Sequence, residues 1–333
     1  MKIALTCNLK KKDSNFPADY FSEWDSEETI NAITSALKNK GHSVDTIDVE
    51  YPGLFSYFRK NRVDMVFNIA EGKCGKFRES EVPAVLDYLN IPYTGSDTFS
   101  LALALNKALT KKILKAEGIP TPNFQVFSTG KETLDPSLKF PMIVKPNCEG
   151  SAKGINKSNV VRNIEELKAK AKEIIEVYKQ EALVEEFIEG KELTVGILEN
   201  GLTCVLPILE IDFESCRQSG EYFYSWRMKE YQGNQEMGLV PTFHCPARLD
   251  KGTEERVKDV VVRTHRAVGC LDISRTDIRL DSNGVPSVLE INPLPGLNPR
   301  ESNFPIMAYA AGMKYEELIE AILKSASERK KLN

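Results

Sequence analysis

Between Ile273 and Asn292 the chain encodes a strand, a turn and a returning strand. Asn283-Gly284 is the strongest two-residue hairpin signal, because a mirror-image turn needs residues that accept positive φ. It is flanked by Ile278-Arg279-Leu280 on one side and Val288-Leu289-Glu290 on the other. Counting outward from that turn, Asp277 is predicted to face Glu290 and Arg275 to face Asn292. Side chains alternate along a strand, so these four share one face. Ile278, Leu280, Leu289 and Ile291 share the other, the expected core side. Two carboxylates set directly opposite each other repel and weaken a sheet. A hard divalent cation removes that repulsion: Mg²⁺ takes a few carboxylate or amide oxygens and leaves its other positions to water and phosphate. A solvated sheet face carrying an Arg–carboxylate pair is the plainer alternative, and Pro286 admits a bulge that shifts the register by one.

Composition narrows the chemistry. Lys plus Arg number 44 and Asp plus Glu 48, a net charge of −4, so no global basic field exists to hold a nucleic-acid backbone. No apolar run approaches the roughly 18 residues of a membrane span. The apolar stretch after Met1 is too short for a signal peptide and meets lysines at once, so a cytoplasmic protein is expected. Seven cysteines without a Cys-x-x-Cys pair, and three histidines not spaced to share a metal, argue against a disulfide frame or a zinc site. At 333 residues the chain is long for one core, and two or three domains are expected.

The order of elements predicts an α/β fold. Strands at 2–7, 44–48 and 62–69 alternate with helices at 25–39, 54–60 and 79–89, the pattern of a parallel sheet with crossovers. Asp25 and Glu28 read as a capping-box start for the first of these helices. Thr98 to Gly118 reads as one long amphipathic helix. A lid-like α+β piece follows, with a strand at 142–145, a helix at 164–178, and strands at 183–187 and 193–198 joined by Glu189-Gly190-Lys191. Longer strands at 205–211, 273–280 and 288–292 and helices at 253–268 and 315–329 complete the chain. The expected units are 1–97, 98–188 and 189–333. Ser215 to Pro241 is long for a loop, and loops of that length are functional or disordered.

Two further stretches suit a phosphate and a nucleoside. Met142-Ile143-Val144-Lys145 runs into Pro146 and a loop containing Gly150, Ser151 and Ala152. Small residues with free backbone donors approach phosphate oxygens closely, and Lys145 adds a point charge. Neither a Walker loop nor Gly-x-Gly-x-x-Gly is present, and a hairpin tip explains the glycines equally well. Lys107 reads equally as a surface lysine. Around Val184-Glu185-Glu186-Phe187 and Glu192, acidic acceptors suit a ribose hydroxyl and strand backbone suits an adenine edge, or these are ordinary surface acids.

Taken in order, the motifs resemble the ATP-grasp ligases of the D-alanine–D-alanine ligase family over essentially the whole length. The resemblance rests on Phe67-Asn68-Ile69-Ala70-Glu71-Gly72, Ile91-Pro92-Tyr93-Thr94-Gly95-Ser96, Asn106-Lys107 with Thr110-Lys111, and Val144-Lys145-Pro146. It continues through Glu149-Gly150-Ser151, Val184-Glu185, Gly190-Lys191-Glu192, Phe223-Tyr224, Pro246-Ala247, Arg275-Thr276-Asp277 and Glu290-Ile291-Asn292-Pro293-Leu294-Pro295-Gly296. It implies an ATP-grasp fold behind a Rossmann-like N-terminal domain, with ATP held between the middle and C-terminal domains. Lys107 and Lys145 would contact phosphates, and Gly150, Ser151 and Ala152 would close over them. Glu185, Glu186, the backbone at Phe187, and Phe223 would hold adenine, and Glu192 the ribose. Asp277, Glu290 and Asn292 would bind two Mg²⁺, with Mn²⁺ as a substitute. Arg275 and Lys229 would stabilise the reacting carboxyl and the transferred phosphoryl group. The implied reaction makes an amide from amino acids through an acyl phosphate, as in peptidoglycan precursor synthesis, and family members are often homodimers.

The departures from the family pattern fall at the amino-acid end. Glu71 stands where the family usually has His, and Gly75-Lys76-Phe77-Arg78 replaces Gly-Glu-Asp-Gly. Glu230 takes the place of a Tyr, with Tyr231 next. After Gly296, Asn298-Pro299-Arg300-Glu301-Ser302 replaces Thr-Ser-His-Ser, with Ser302 as the carboxylate-binding serine and Arg300 as an extra cation. Glu28, or its neighbour Glu27, is the expected acid for the substrate amine. Related ligases joining another pair of amino acids, or a nucleotide-binding homologue without turnover, are the alternatives.

Overall fold

Lys12, Ser14, Tyr51, Pro52, Asn200 and Asn333 aside, the computed structural model describes the whole chain, with the side chains of residues 330–332 left out. Strands β1 (Lys2–Cys7), β2 (Ser43–Asp48) and β3 (Met65–Asn68) form a parallel sheet in the order β2-β1-β3. β1 and β3 are buried on both faces because both are covered, whereas the edge strand β2 is polar and largely exposed. Ile3, Leu5 and Phe67 pack on helix α1 (Glu27–Asn39), while Ala4 and Val66 pack on the side of helices α2 (Leu54–Lys60) and α3 (Glu81–Leu89). Helix α1 is capped by Ser26, whose hydroxyl accepts from Thr29 N at 3.3 Å, and not by Asp25. That frees the Asp25 carboxylate for other work.

The predicted long helix is two helices, α4 (Thr98–Leu105) and α5 (Lys107–Ala116). Asn106 breaks them: its backbone is extended and its side chain accepts from Leu109 N at 3.1 Å, capping α5. Lys107 therefore opens a helix and does not lie along the middle of one.

Strands β4 (Phe124–Phe127), β5 (Met142–Pro146), β6 (Val160–Val161) and β7 (Ala182–Glu186) form an antiparallel sheet in the order β4-β7-β5-β6. Met142, Val144 and Val184 face helix α6 (Ile164–Tyr178), so alternation turns Ile143, Lys145 and Glu185 the other way. Strands β8 (Lys191–Glu199), β9 (Thr203–Val205), β10 (Leu209–Asp212), β11 (Thr242–His244), β12 (Ile273–Leu280) and β13 (Pro286–Asn292) build the third sheet, ordered β11-β10-β8-β12-β13 with β9 on β8. The expected strand at 205–211 is split at Pro207, which has no donor for a ladder. Glu189-Gly190 joins β7 to β8 in the chain, but the two strands do not pair. Both edges of β7 are taken by β4 and β5, so β8 starts a different sheet.

Within the segment Trp226–Glu230 lies a short helix, α7, in a stretch anchored by Ile211, Phe213, Cys216, Met228 and Leu239. Helix α8 (Lys251–Val268) covers one face of the third sheet, and helices α9 (Asn303–Ala310) and α10 (Tyr315–Leu332) cover the other. Among the described residues, no helix is long and apolar enough to cross a membrane.

The β12–β13 hairpin reaches the expected pairing by an unexpected route. Gly284 N bonds Asp281 O at 3.0 Å and Asp281 N bonds Val285 O, so the turn holds three residues, with Gly284 in the left-handed region at φ +72°. That slips the register by one near the turn, where Ile278 faces Val288. A bulge at Leu289 slips it back, and Asp277 faces Glu290 and Arg275 faces Asn292 as predicted. The price is paid in the apolar pair: Val288, fully buried, takes the core position expected for Leu289, and Leu289 lines a cavity instead. Val288→Ala should therefore cost about 2 kcal/mol in urea unfolding, and Leu289→Ala less than about 1 kcal/mol. Equal costs would contradict the bulge.

Candidate active site

A cavity of about 530 Å³ lies between the second and third sheets. Its cationic end is built by β5, β12, β13 and the start of α5. Lys145 pairs with Glu185 at 2.6 Å, and Glu185 also pairs with Lys111 at 2.8 Å; all three are buried. Burial pushes the Lys111 ammonium down to about 8, against the pull of Glu185 and with Lys145 adding to the drop. Glu185 lines the cavity, but its carboxylate is committed to two lysines, so it orients Lys145 before it can meet any base. Lys107 donates to the Glu149 carbonyl and pairs with Glu290 at 3.1 Å.

Facing these lysines is the acidic pair read from the hairpin. Arg275 grips Asp277 with two bonds of 2.9 and 2.8 Å, and Thr194 Oγ1 donates to the same carboxylate at 2.6 Å. Burial opposes the charge on Glu290, but Lys107, Lys145 and Arg275 outweigh it and hold that carboxyl well below its usual range. Asn292 lies two residues beyond Glu290 on the same wall. Two carboxylates and an amide oxygen, open on one side to a cavity, fit a hard divalent ion that keeps phosphate and water in its remaining positions. They do not suit a metal that prefers sulfur or imidazole.

Away from the charges the cavity becomes apolar, with Ile143, Phe187, Phe223 and Leu289 in its wall. Arg279 lies 5.1 Å from the Phe187 ring centre and pairs with Glu192 at 3.0 Å, and Tyr224 N donates to Glu192. The slot suits a flat ring, with Glu192 as an acceptor at its edge.

The stretch 215–241 roofs the cavity and is ordered, with its own small apolar cluster. Lys229 Nζ donates to Ser151 Oγ at 2.9 Å, and burial together with nearby Arg275 lowers its pKa. Trp226 Nε1 donates to Ser22 Oγ at 2.8 Å, and Lys10 pairs with Glu230 at 3.1 Å. Glu230 points into the cavity, while Tyr231 is 41 % exposed and packs on Trp226. Ser151 and Ala152 line the cavity, whereas Gly150 sits behind them with its N–H on Glu23.

At the far end the cavity is lined by Glu23, Asp25, Glu71, Gly296, Ser302 and Asn303. The carboxylates of Glu23, Glu71 and Glu79 lie within 4.8 Å of one another. Burial, then the neighbouring Glu79 and Glu23, pushes Glu71 well above the usual carboxylate range. Glu28 is absent from this wall: it is exposed on α1 and pairs with Arg300 at 3.1 Å, which also removes Arg300 from the site. The acids of the N-terminal region that do reach the cavity are Glu23, Asp25 and Glu71.

Sequence reasoning missed Lys111, Thr194 and Arg279. Arg279 was accessible by alternation, two residues on from Asp277 and four from Arg275. Lys111 was accessible as the i+4 neighbour of Lys107 on α5. Glu23 and Asp25 sit in irregular chain, where no periodicity points.

The family model for the D-ala D-ala ligase C-terminus matches residues 113–324. A D-alanine–D-alanine ligase of Carboxydothermus hydrogenoformans is 37 % identical over 305 aligned positions, covering 89 % of this chain and 91 % of the relative. An uncharacterized protein of Sinorhizobium fredii, y4sG, is 33 % identical over 345 aligned positions, 99 % of this chain and 98 % of its own length. The crystal structure of D-alanine–D-alanine ligase from Bacillus anthracis complexed with ATP superposes with a TM-score of 0.77 at 25 % identity, over 100 % of this chain and 99 % of that one. The VanG D-Ala:D-Ser ligase of Enterococcus faecalis, 21 % identical with a TM-score of 0.76 over 98 % of this chain and 99 % of its own, shares the fold. The chain thus belongs to the D-alanine–D-alanine ligase family of ATP-grasp, ATP-dependent ligases.

Proposed function

We propose that the protein joins two D-alanines, activating one carboxylate with ATP and forming the amide through an acyl phosphate, with ADP and phosphate released. One observation carries this: Lys107, Lys145 and Arg275 surround the opposed Asp277–Glu290 pair at one end of a cavity whose other end is rich in acids. Such a site holds a polyphosphate beside a carboxylate and leaves acids for an ammonium.

Asp277, Glu290 and Asn292 would hold Mg²⁺, two ions being our expectation, with Mn²⁺ able to replace it. When bound, the metal neutralises phosphate oxygens. Lys107 and Lys145 would bind those oxygens, and Ser151, Ala152 and the backbone at Gly150 would cover them. Phe187 and Phe223 would flank the base, with Glu186 nearby and Glu192 on the ribose. Arg275 would stabilise charge on the reacting carboxyl, and Lys229 would bring a cation to the transferred group from the roof. The roof would keep out water, which would otherwise hydrolyse an acyl phosphate.

Gly296 and Ser302 would receive the carboxylate of the second amino acid, and Asp25 its partner's ammonium. Burial and the neighbouring Glu79 and Glu23 disfavour the charged form of Glu71, the residue that stands where the family usually has a histidine. We further propose that residues 1–97, 98–188 and 189–333 work as three units, and that the protein is a cytoplasmic homodimer supplying peptidoglycan precursors. A second reading, a ligase for another amino-acid pair, is favoured by Glu71 and the Gly75–Arg78 stretch, where the sequence leaves the family pattern, and by the further acids Glu23 and Asp25 in the same wall.

Phosphate release with Mg²⁺-ATP and single or paired D- and L-amino acids, with mass identification of the product, decides the substrate. D-alanine alone should give the dipeptide; turnover only with a mixed pair would favour the second reading, and none with any pair would reject both. Asp277→Asn and Glu290→Gln should each lower turnover by about a hundred-fold or more while melting close to wild type. Burial pushes the Asp25 carboxyl up to about 7, against the pull of Lys229. It is charged only above that pKa, so KM for the amino acid should fall as pH rises through about 7. Asp25→Asn should flatten that dependence.

A further inference from the structure

Arg78 lies where the sequence leaves the family pattern, and no step above uses it. Its side chain is buried yet does not line the cavity. Nη1 donates to the Cys148 carbonyl at 2.9 Å and the Gly75 carbonyl at 3.3 Å. Nη2 pairs with Glu23 and lies 3.4 Å from Glu149. Glu23 in turn accepts from Gly150 N at 2.7 Å and pairs with Lys153 at 3.3 Å, while Lys153 pairs with Glu149 at 2.7 Å. A Cβ on Gly150 would fall 2.6 Å from the Glu23 carboxylate, so a side chain there would expel it. Four residues earlier, the Asp19 carboxylate accepts from Gly154 N at 3.0 Å and from Tyr178 OH at 2.6 Å. The N-terminal loop therefore holds the phosphate loop at both ends, Gly150 and Gly154.

We infer that Arg78, itself outside the cavity, is a positioning residue that acts with Glu23 and Asp19 to set the Gly150–Gly154 loop over the nucleotide's phosphates. This deepens the ligase reading and rests on it. Arg78 acts through geometry: a planar fork meets two carbonyls and a carboxylate at once, and a lysine ammonium cannot. Tyr178 acts at the other end through a single hydroxyl.

The test measures binding of a non-hydrolysable ATP analogue, AMP-PNP with Mg²⁺, and of adenosine, by calorimetry on wild type, Arg78→Lys and Tyr178→Phe. AMP-PNP should bind about ten-fold more weakly to Arg78→Lys and several-fold more weakly to Tyr178→Phe, with adenosine affinity unchanged in both. An equal loss for adenosine would mean general damage to the fold and would overturn the inference, as would unchanged AMP-PNP binding in both variants. Should Arg78→Lys fail to fold, Tyr178→Phe decides alone. Failure of wild type to bind AMP-PNP would overturn the ligase reading itself.

Discussion

The repulsion between Asp277 and Glu290 organises the functional half of the molecule. Strand pairing forces the two carboxylates together, and the structure answers with a cation for each: Arg275 on Asp277 and Lys107 on Glu290. Buried ion pairs of this sort seldom add stability, since desolvation offsets the attraction. Apolar side chains of the same volume would pack at least as well. Their presence makes sense when the cations are lent to the acids until phosphates and a metal take over.

The same logic extends to Lys145 and Lys111, which share Glu185. Three buried charges with one net positive unit form a cationic patch that stays fixed in place because its acid cannot leave. A site prepared in this way spends little reorganisation when charge arrives. The capped break at Asn106 contributes to it, since the turn that ends α4 delivers Lys107 to the cavity rather than to solvent.

Much of this was legible in residue order. The Asp277–Glu290 facing was predicted from the turn signal and alternation, although the structure reaches it through a longer turn whose one-residue slip the bulge at Leu289 cancels. The bulge was not legible, because Val288 and Leu289 are both apolar and either could serve the core. The break at Asn106 was hidden because Asn106-Lys107 and Thr110-Lys111, three to four residues apart, resemble the wet stripe of a continuous helix. Glu28 lies in the first turn of α1 and faces solvent, whereas Glu23 and Asp25, in irregular chain just before it, reach the cavity. Their positions are set by long-range contacts such as Gly150 N on Glu23, to which no local pattern points.

The seam between the N-terminal loop and the roof has an optical consequence. The chain holds two tryptophans, Trp24 and Trp226, and both line the cavity, with the indole of Trp226 bonded to Ser22 across that seam. Intrinsic fluorescence therefore has no contribution from indoles elsewhere in the molecule, and its spectrum reports the wetness of this one place without any attached dye.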